Sequence, residues 1–324
     1  MDSFWKALPK PFFVLAPMAD VTDPAYRRLI AETHPPDVMW TEFVSADGLY
    51  HTREKKRMDD EENPLVRDLR YMPEERPIVA QLFTSNPEMM AYAANLCRDF
   101  GFDGIDINMG CPDRSIEKQG AGAAMMKNID SARAVIEAAR TSGLPVSVKT
   151  RIGYNQEAID EWIGAILKTQ PEALTVHLRT RKEMSLVPAH WELMPKVVAL
   201  RDTLSPDTRI IGNGDVRSLD DAREKVAASG ADGAMLGRAI FGNPWLFSGR
   251  ELEGVPPQER LAALEQLAGY FNELRPQKSY HLLKKHFKVF VNGWPGAAEL
   301  RSRLMETGSI EELSAELSAA RELV

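Results

Sequence analysis

Gly104-Ile-Asp-Ile-Asn-Met-Gly-Cys-Pro112 alternates Ile105 and Ile107 with Asp106 and Asn108, the period of a short strand, and then breaks into turn-forming residues. A thiol is thereby presented where a strand ends. Pro112 removes a backbone N–H beside it, and the glycine-bearing run Gln119-Gly-Ala-Gly-Ala123 follows, a combination suited to closing over a ligand. The same cysteine would equally serve as a small buried hydrophobe.

Outward from this segment, apolar runs at 11–17, 38–43, 77–83, 145–152, 173–178, 209–215 and 232–238 read as further strands. Helical patterns separate them: 24–31 after Asp23-Pro24, 87–100 after Ser85-Asn86, then 131–141, 157–169, 192–204 and 218–229. The charged segment 50–70 reads as a hairpin or an excursion. About eight strands alternating with helices over roughly 240 residues predict a (β/α)8 TIM barrel. A doubly wound open sheet is the competitor, but no GxGxxG follows the first strand. Beyond Trp245 the pattern changes: a linker at 252–257 leads to helical periodicity at 259–274, 278–291, 297–305 and 310–323. The chain divides into a barrel over 1–250 and a smaller all-helical domain over 251–324.

The 324 residues are 44% hydrophobic and 27% charged, the balance of a soluble globular protein. No apolar run approaches the roughly 20 residues that span a bilayer, and the N-terminus lacks a secretory pattern, so no membrane association and a cytoplasmic location are expected. Cys97 and Cys111 are the only cysteines, with no CxxC pair to suggest a metal site. A formal charge of −7 argues against a surface given wholly to nucleic acid, though a local basic face remains open. Arg275, Lys278, Lys284, Lys285, His286, Lys288, Arg301 and Arg303, interleaved with Tyr280, Phe287, Phe290 and Trp294, suggest one in the helical part.

Met18, Gln81, Asn108, Cys111, Lys149, Arg151, His177, Arg179, Asn213, Asp215 and Arg238 fall at or just beyond the carboxyl ends of different strands, the face that carries barrel active sites. Gly212-Asn-Gly-Asp215 and Leu236-Gly-Arg238 stand where such barrels bind phosphate. A lysine stabilises negative charge on a reduced flavin and Gln81 can bond its polar edge, so flavin mononucleotide (FMN) suits the ring of residues. With an ordinary thiol pKa of about 8.5, Cys111 can deliver a proton while the flavin delivers a hydride. Reduction of a polarised carbon–carbon double bond uses both.

Ala16-Pro-Met-Ala-Asp-Val-Thr-Asp23, Asp106-Ile-Asn-Met-Gly-Cys-Pro112, Val148-Lys-Thr-Arg-Ile-Gly153, His177-Leu-Arg-Thr-Arg181, Gly212-Asn-Gly-Asp215 and Gly237-Arg238 with Gly242-Asn-Pro-Trp245 together resemble the tRNA-dihydrouridine synthases. The resemblance runs through the whole barrel in order, and it implies a helical tRNA-binding domain at the C-terminus. It also implies that Pro17, Met18 and Ala19 contact FMN by backbone, with Gln81 and Lys149 on its ring and His177 beside it. Asn213, Gly214, Asp215, Gly237 and Arg238 would hold the phosphate end, Asn108 and Arg179 would lie near the uracil, and Cys111 would be the acid. NADPH would supply the electrons, and a uridine flipped out of tRNA would receive hydride at carbon 6 and a proton at carbon 5.

The family usually has glycine after the sixth-strand histidine and an aromatic a little later, where this chain has Leu178 and Lys182-Glu-Met-Ser-Leu186. Leu178 would narrow the substrate side. Two competing readings are a flavin oxidoreductase of a free pyrimidine, such as a dihydroorotate dehydrogenase, and a catalytically silent RNA-binding barrel.

Overall fold

A computed structural model describes residues 3–241 and 243–321. Nine strands occur among the described residues: β1 (Phe12–Leu15), β2 (Met39–Trp40), β3 (Val44–Ser45), β4 (Ile78–Phe83), β5 (Gly104–Met109), β6 (Val146–Arg151), β7 (Ala173–His177), β8 (Arg209–Asn213) and β9 (Gly233–Leu236). All pair in parallel in the order β1-β9-β8-β7-β6-β5-β4-β2, and β3 continues past β2 to pair with the end of β4. A bridge between Val14 and Val38 joins the two ends of the sheet. The result is the expected eight-stave barrel.

Alternation along the strands sorts side chains into two layers. Phe12, Val14, Trp40, Val79, Ala173, Ile211 and Met235 form one apolar cluster with Trp5. Trp5 lies 5.7 Å from Trp40, and its carbonyl accepts a bond from Arg209 at the start of β8, so the N-terminal turn plugs the floor of the barrel. Ile105, Ile107, Val148, Leu174, Val176 and Ile210 belong instead to the larger core shared with the helices.

Asp23 and Asn86 cap as expected, accepting from Tyr26 N and Glu88 N, and Ser218, expected within its helix, instead caps it by accepting from Asp221 N. The charged excursion is helical, with Ala46–Tyr50 running into a wider turn at His51–Lys55 and a short helix at Pro64–Asp68. No strand occurs in residues 257–321. Pro257–Glu273 packs against the first barrel helix, Pro24–Thr33, where Arg28 lies 3.7 Å over the Tyr270 ring and 2.9 Å from Glu273. The helix expected over 278–291 is broken into Tyr280–Leu283, a tight turn at Lys284–His286, and Phe287–Phe290. That break sets the His286 ring 4.6 Å from Tyr26.

The basic face is smaller than the sequence suggests. Lys278 is buried, 2.8 Å from Glu42, 3.3 Å from Asp68 and 4.0 Å from Asp23. His286 is buried too, and burial pushes its pKa down to about 3. Both side chains are taken up by the barrel surface beneath them. Arg275, Lys288 and Arg303 remain exposed. Among the described residues no helix is long and apolar enough to cross a membrane. Gly242 of the 242–245 motif lies outside the described residues.

Candidate functional site

Strand register brings the polar residues level with one another. Gln81 pairs with Asp106 and Asn108 with Lys149; Arg151 pairs with His177, and His177 with Asn213. In a parallel pair such partners face the same way, so residues from position 81 to position 213 gather in successive rows toward the carboxyl end.

A cavity of about 1000 Å³ opens there. Its walls include Pro17, Met18, Lys149, His177, Arg179, Asn213, Gly214, Asp215, Gly237 and Arg238. Ser185, Pro188, Ala189, Trp191, Arg217 and Lys225 line it as well, and the sequence did not assign these. Five of the lining residues are lysine or arginine, against one carboxylate, Asp215. Such a lining favours an anionic ligand. Gly214, with φ +120°, belongs to the cradle: a Cβ there would come within 2.8 Å of Ala189 and 3.1 Å of His177.

Asp215 organises one side. It accepts from Arg179 and from Ala189 N with one oxygen and from Arg238 with the other, at 2.7 Å. The bond from Arg179 holds its carboxyl below the usual range. Arg179 is buried, and its remaining donors go to the Val187 carbonyl at 2.6 Å and to His177 Nε2 at 3.0 Å. His177 therefore carries its ring proton on Nδ1. Burial and the nearby cations hold its pKa well below the ordinary value, so it is neutral.

Lys149 lies deeper, with Nζ 3.3 Å from Asn213 Oδ1, and burial together with Arg151 pushes its pKa down to about 8. Behind it runs a buried chain of bonds. Asn108 Nδ2 donates to Gln81, Gln81 Nε2 donates to Asp106 at 2.6 Å, and Ser147 donates to the other Asp106 oxygen. Burial raises Asp106 to about 6 despite these donors.

Ala19, Gln81, Asn108 and Cys111 are not part of the cavity wall. Ala19 is exposed beyond the β1 end, and Gln81 and Asn108 are interior. Cys111 is half-buried against the cluster of Phe83, Ile116 and Ala121. Burial raises its thiol pKa, against the pull of the Asp113 backbone N–H and, more weakly, of Lys149 and Arg151. The loop around it is tied on three sides. Asn108 Oδ1 accepts from Gly110 N and Cys111 N, Arg151 Nε donates to Gly110 O at 2.8 Å, and Ala123 N donates to Cys111 O at 2.9 Å. Gly122, with φ +59°, makes the last contact possible, because a Cβ there would meet Cys111 O at 2.7 Å.

Arg151 bridges loops, a role its place in the sequence does not disclose. Lys225 also escaped the sequence reading, since it reaches the cavity from the helix after β8. Arg217 was more legible: it stands three residues after Gly214 of the phosphate-type loop. Leu178 does not narrow the cavity. Its side chain is fully buried in the main core.

In comparisons with known proteins, residues 14–323 match the dihydrouridine synthase family. The chain is 39% identical over 317 residues to "Probable tRNA-dihydrouridine synthase 2" of Bacillus subtilis (strain 168), covering 97% of this chain and 95% of that protein. It is also 39% identical over 320 residues to "Probable tRNA-dihydrouridine synthase" of Staphylococcus aureus (strain COL), covering 97% and 94%. Among solved structures, 2-naphthoyl-CoA reductase shares the fold at a TM-score of 0.54 and 9% identity, over 73% of this chain and 49% of that one. Histamine dehydrogenase from Rhizobium sp. 4-9 does so at 0.51 and 14%, over 80% and 48%. The chain spans about half the length of these two structures, which bear on the fold alone. A family match that covers both the barrel and the helical region, with relatives matched over nearly their full length, establishes that this chain is an enzyme of the dihydrouridine synthase family.

Proposed function

We propose that the protein reduces a uridine of tRNA to 5,6-dihydrouridine, with FMN held in the cavity and NADPH as the reductant. The observation that carries this is a cation-lined cavity at the carboxyl ends of the barrel strands, with a half-buried thiol in the turn that follows β5, in a chain whose relatives bear that activity in their names. The donor set fits FMN. Arg238, Arg217 and Lys225 offer charge for its phosphate near the Gly214 cradle, and Lys149 offers a cation to an electron-rich ring. When bound, FMN supplies hydride for carbon 6 of the uracil.

The chain's residues supply the rest. Cys111 Sγ gives its proton to carbon 5, and the thiolate left behind is favoured by Lys149 and Arg151. Asn108 fixes the turn that carries Cys111, with one amide hydrogen left to face a base. Neutral His177 can donate from Nδ1, and Arg179 holds both His177 and Asp215 in place. Residues 1–250 serve as the catalytic barrel and 251–324 as the tRNA-binding domain, with Arg275, Lys288 and Arg303 among its exposed cations.

The test is mass-spectrometric mapping of tRNA lacking dihydrouridine after incubation with the protein, FMN and NADPH. The expected result is reduction at a defined uridine. No reduction on several such tRNAs, with the flavin still bleached by NADPH, would move the substrate to a free pyrimidine.

A further inference from the structure

The loop after β7 carries apolar surface that the fold leaves uncovered. Leu186 is 85% exposed and Met184 is 38% exposed. Of the four large hydrophobic side chains exposed among the described residues, these two share one short loop. A single exposed leucine is ordinary, whereas two apolar side chains together at the mouth of a cavity point to a partner.

The loop is held firmly. Arg151 donates to the carbonyls of Met184 and Thr180 at 2.9 and 3.2 Å, and Arg179 donates to Val187 O. Leu186 N closes a turn onto Glu183 O at 2.9 Å. Two buried arginines thus grip the backbone on either side of Leu186. Ser185 and Pro188, which flank this tip, line the cavity, and the same Arg151 holds Gly110 beside Cys111. On the same loop Lys182 is exposed, a cation open to a phosphate backbone. An apolar tip beside such a cation suits a strand with its bases turned inward.

We infer that Leu186, backed by Met184, is the wedge that enters the base stack of the tRNA beside the flipped uridine. This rests on the tRNA reading above. A base that leaves its stack strips contact from both neighbours, and an apolar side chain in the gap restores part of it. The wedge accounts for a loop that keeps leucine out of the core at a fixed place.

The test compares Leu186→Ser and Leu186→Phe with wild type on two substrates: the folded tRNA that the wild type reduces, and a short single-stranded oligonucleotide with the same loop sequence. Leu186→Ser is expected to lower kcat/KM on the folded tRNA roughly tenfold, with a much smaller loss on the oligonucleotide. Flavin reduction by NADPH should not change, and Leu186→Phe should retain most of the activity. Wild-type kcat/KM for Leu186→Ser on folded tRNA, or an equal loss on both substrates, would overturn the wedge. A wild-type protein that reduces no tRNA removes the tRNA reading and this inference with it, whereas the variant comparison removes the wedge alone.

Discussion

Asn108 holds Cys111 by the backbone. Its Oδ1 accepts the Cys111 N–H at 2.9 Å and the Gly110 N–H at 3.1 Å, while its Nδ2 donates to Gln81 at 3.1 Å. The last polar side chain of β5 therefore shapes the turn that presents the thiol, and it is itself oriented from β4.

Asn108→Ala should free that turn without emptying the cavity. Displacing a reacting group by an ångström can cost about a hundredfold in rate, and a loss of that order is expected at saturating tRNA. The flavin absorbance of the purified variant should match wild type. Undiminished turnover would remove Asn108 from the positioning of Cys111.

Cys111→Ala should bind flavin and tRNA normally yet lose about 10²- to 10⁴-fold in dihydrouridine formation, the usual contribution of a general acid. Burial raises the thiol pKa, so the proton is present at neutral pH and is lost only above the ordinary thiol value. The wild-type rate should accordingly fall on the alkaline side. A rate for Cys111→Ala close to wild type on native tRNA would exclude the thiol as the proton source.

Lys149 predicts a pH dependence of FMN binding. With its pKa pushed down to about 8 by burial and Arg151, the side chain is charged at pH 7 and largely neutral at pH 9. The charged form favours an anionic ligand, so FMN affinity should weaken as pH rises from 7 to 9. Lys149→Met should flatten that slope. Titration by flavin fluorescence decides it, and the same slope in the variant would assign the effect to another group.

Asp106 predicts a pH dependence of stability. Its pKa in the fold is about 6 against an ordinary 3.8, so the folded state binds the proton more tightly than the unfolded chain does. Its contribution is full below about pH 4 and fades as pH rises through 6, worth about 3 kcal/mol in all. Asp106→Asn keeps an acceptor for Gln81 and lets Ser147 turn to accept, and it should remove that decline. Urea unfolding at pH 4, 5, 6 and 7 measures it; parallel curves for both proteins would refute the assignment.

Lys278→Met should destabilise the protein by about 3–5 kcal/mol, because it leaves Glu42, Asp68 and Asp23 facing one another without their buried cation. Burial works against the ammonium, but Glu42 and its neighbours outweigh it and raise the lysine pKa. Glu42 also accepts the Asp20 N–H, next to the 17–19 segment proposed to contact FMN, so flavin binding should weaken as well. Lys278→Arg should recover part of both. A variant with unchanged Tm and unchanged FMN affinity would show the cluster to be dispensable.

The barrel was legible because its signals are local. Alternation of Ile105 and Ile107 with Asp106 and Asn108, caps at Asp23 and Asn86, and glycines at strand ends act over a few residues. The broken helix at 280–290 was not legible, because a continuous periodicity there is overridden by the packing of His286 on Tyr26. The basic face was overread for a related reason: composition does not distinguish an exposed lysine from Lys278, whose partners lie more than 200 positions away.

By itself the sequence determined the alternation of strands and helices in the barrel, the family, and the residue types available at the strand ends. Only the tertiary structure decided which partners those residues meet. Asn108 and Arg179 look alike as strand-end polar residues, yet the first is bound to the Cys111 turn and the second to Asp215, His177 and Val187. Whether a polar side chain faces a ligand or holds a loop depends on which distant acceptors closure of the barrel brings within about 3 Å, and no local pattern carries that distance.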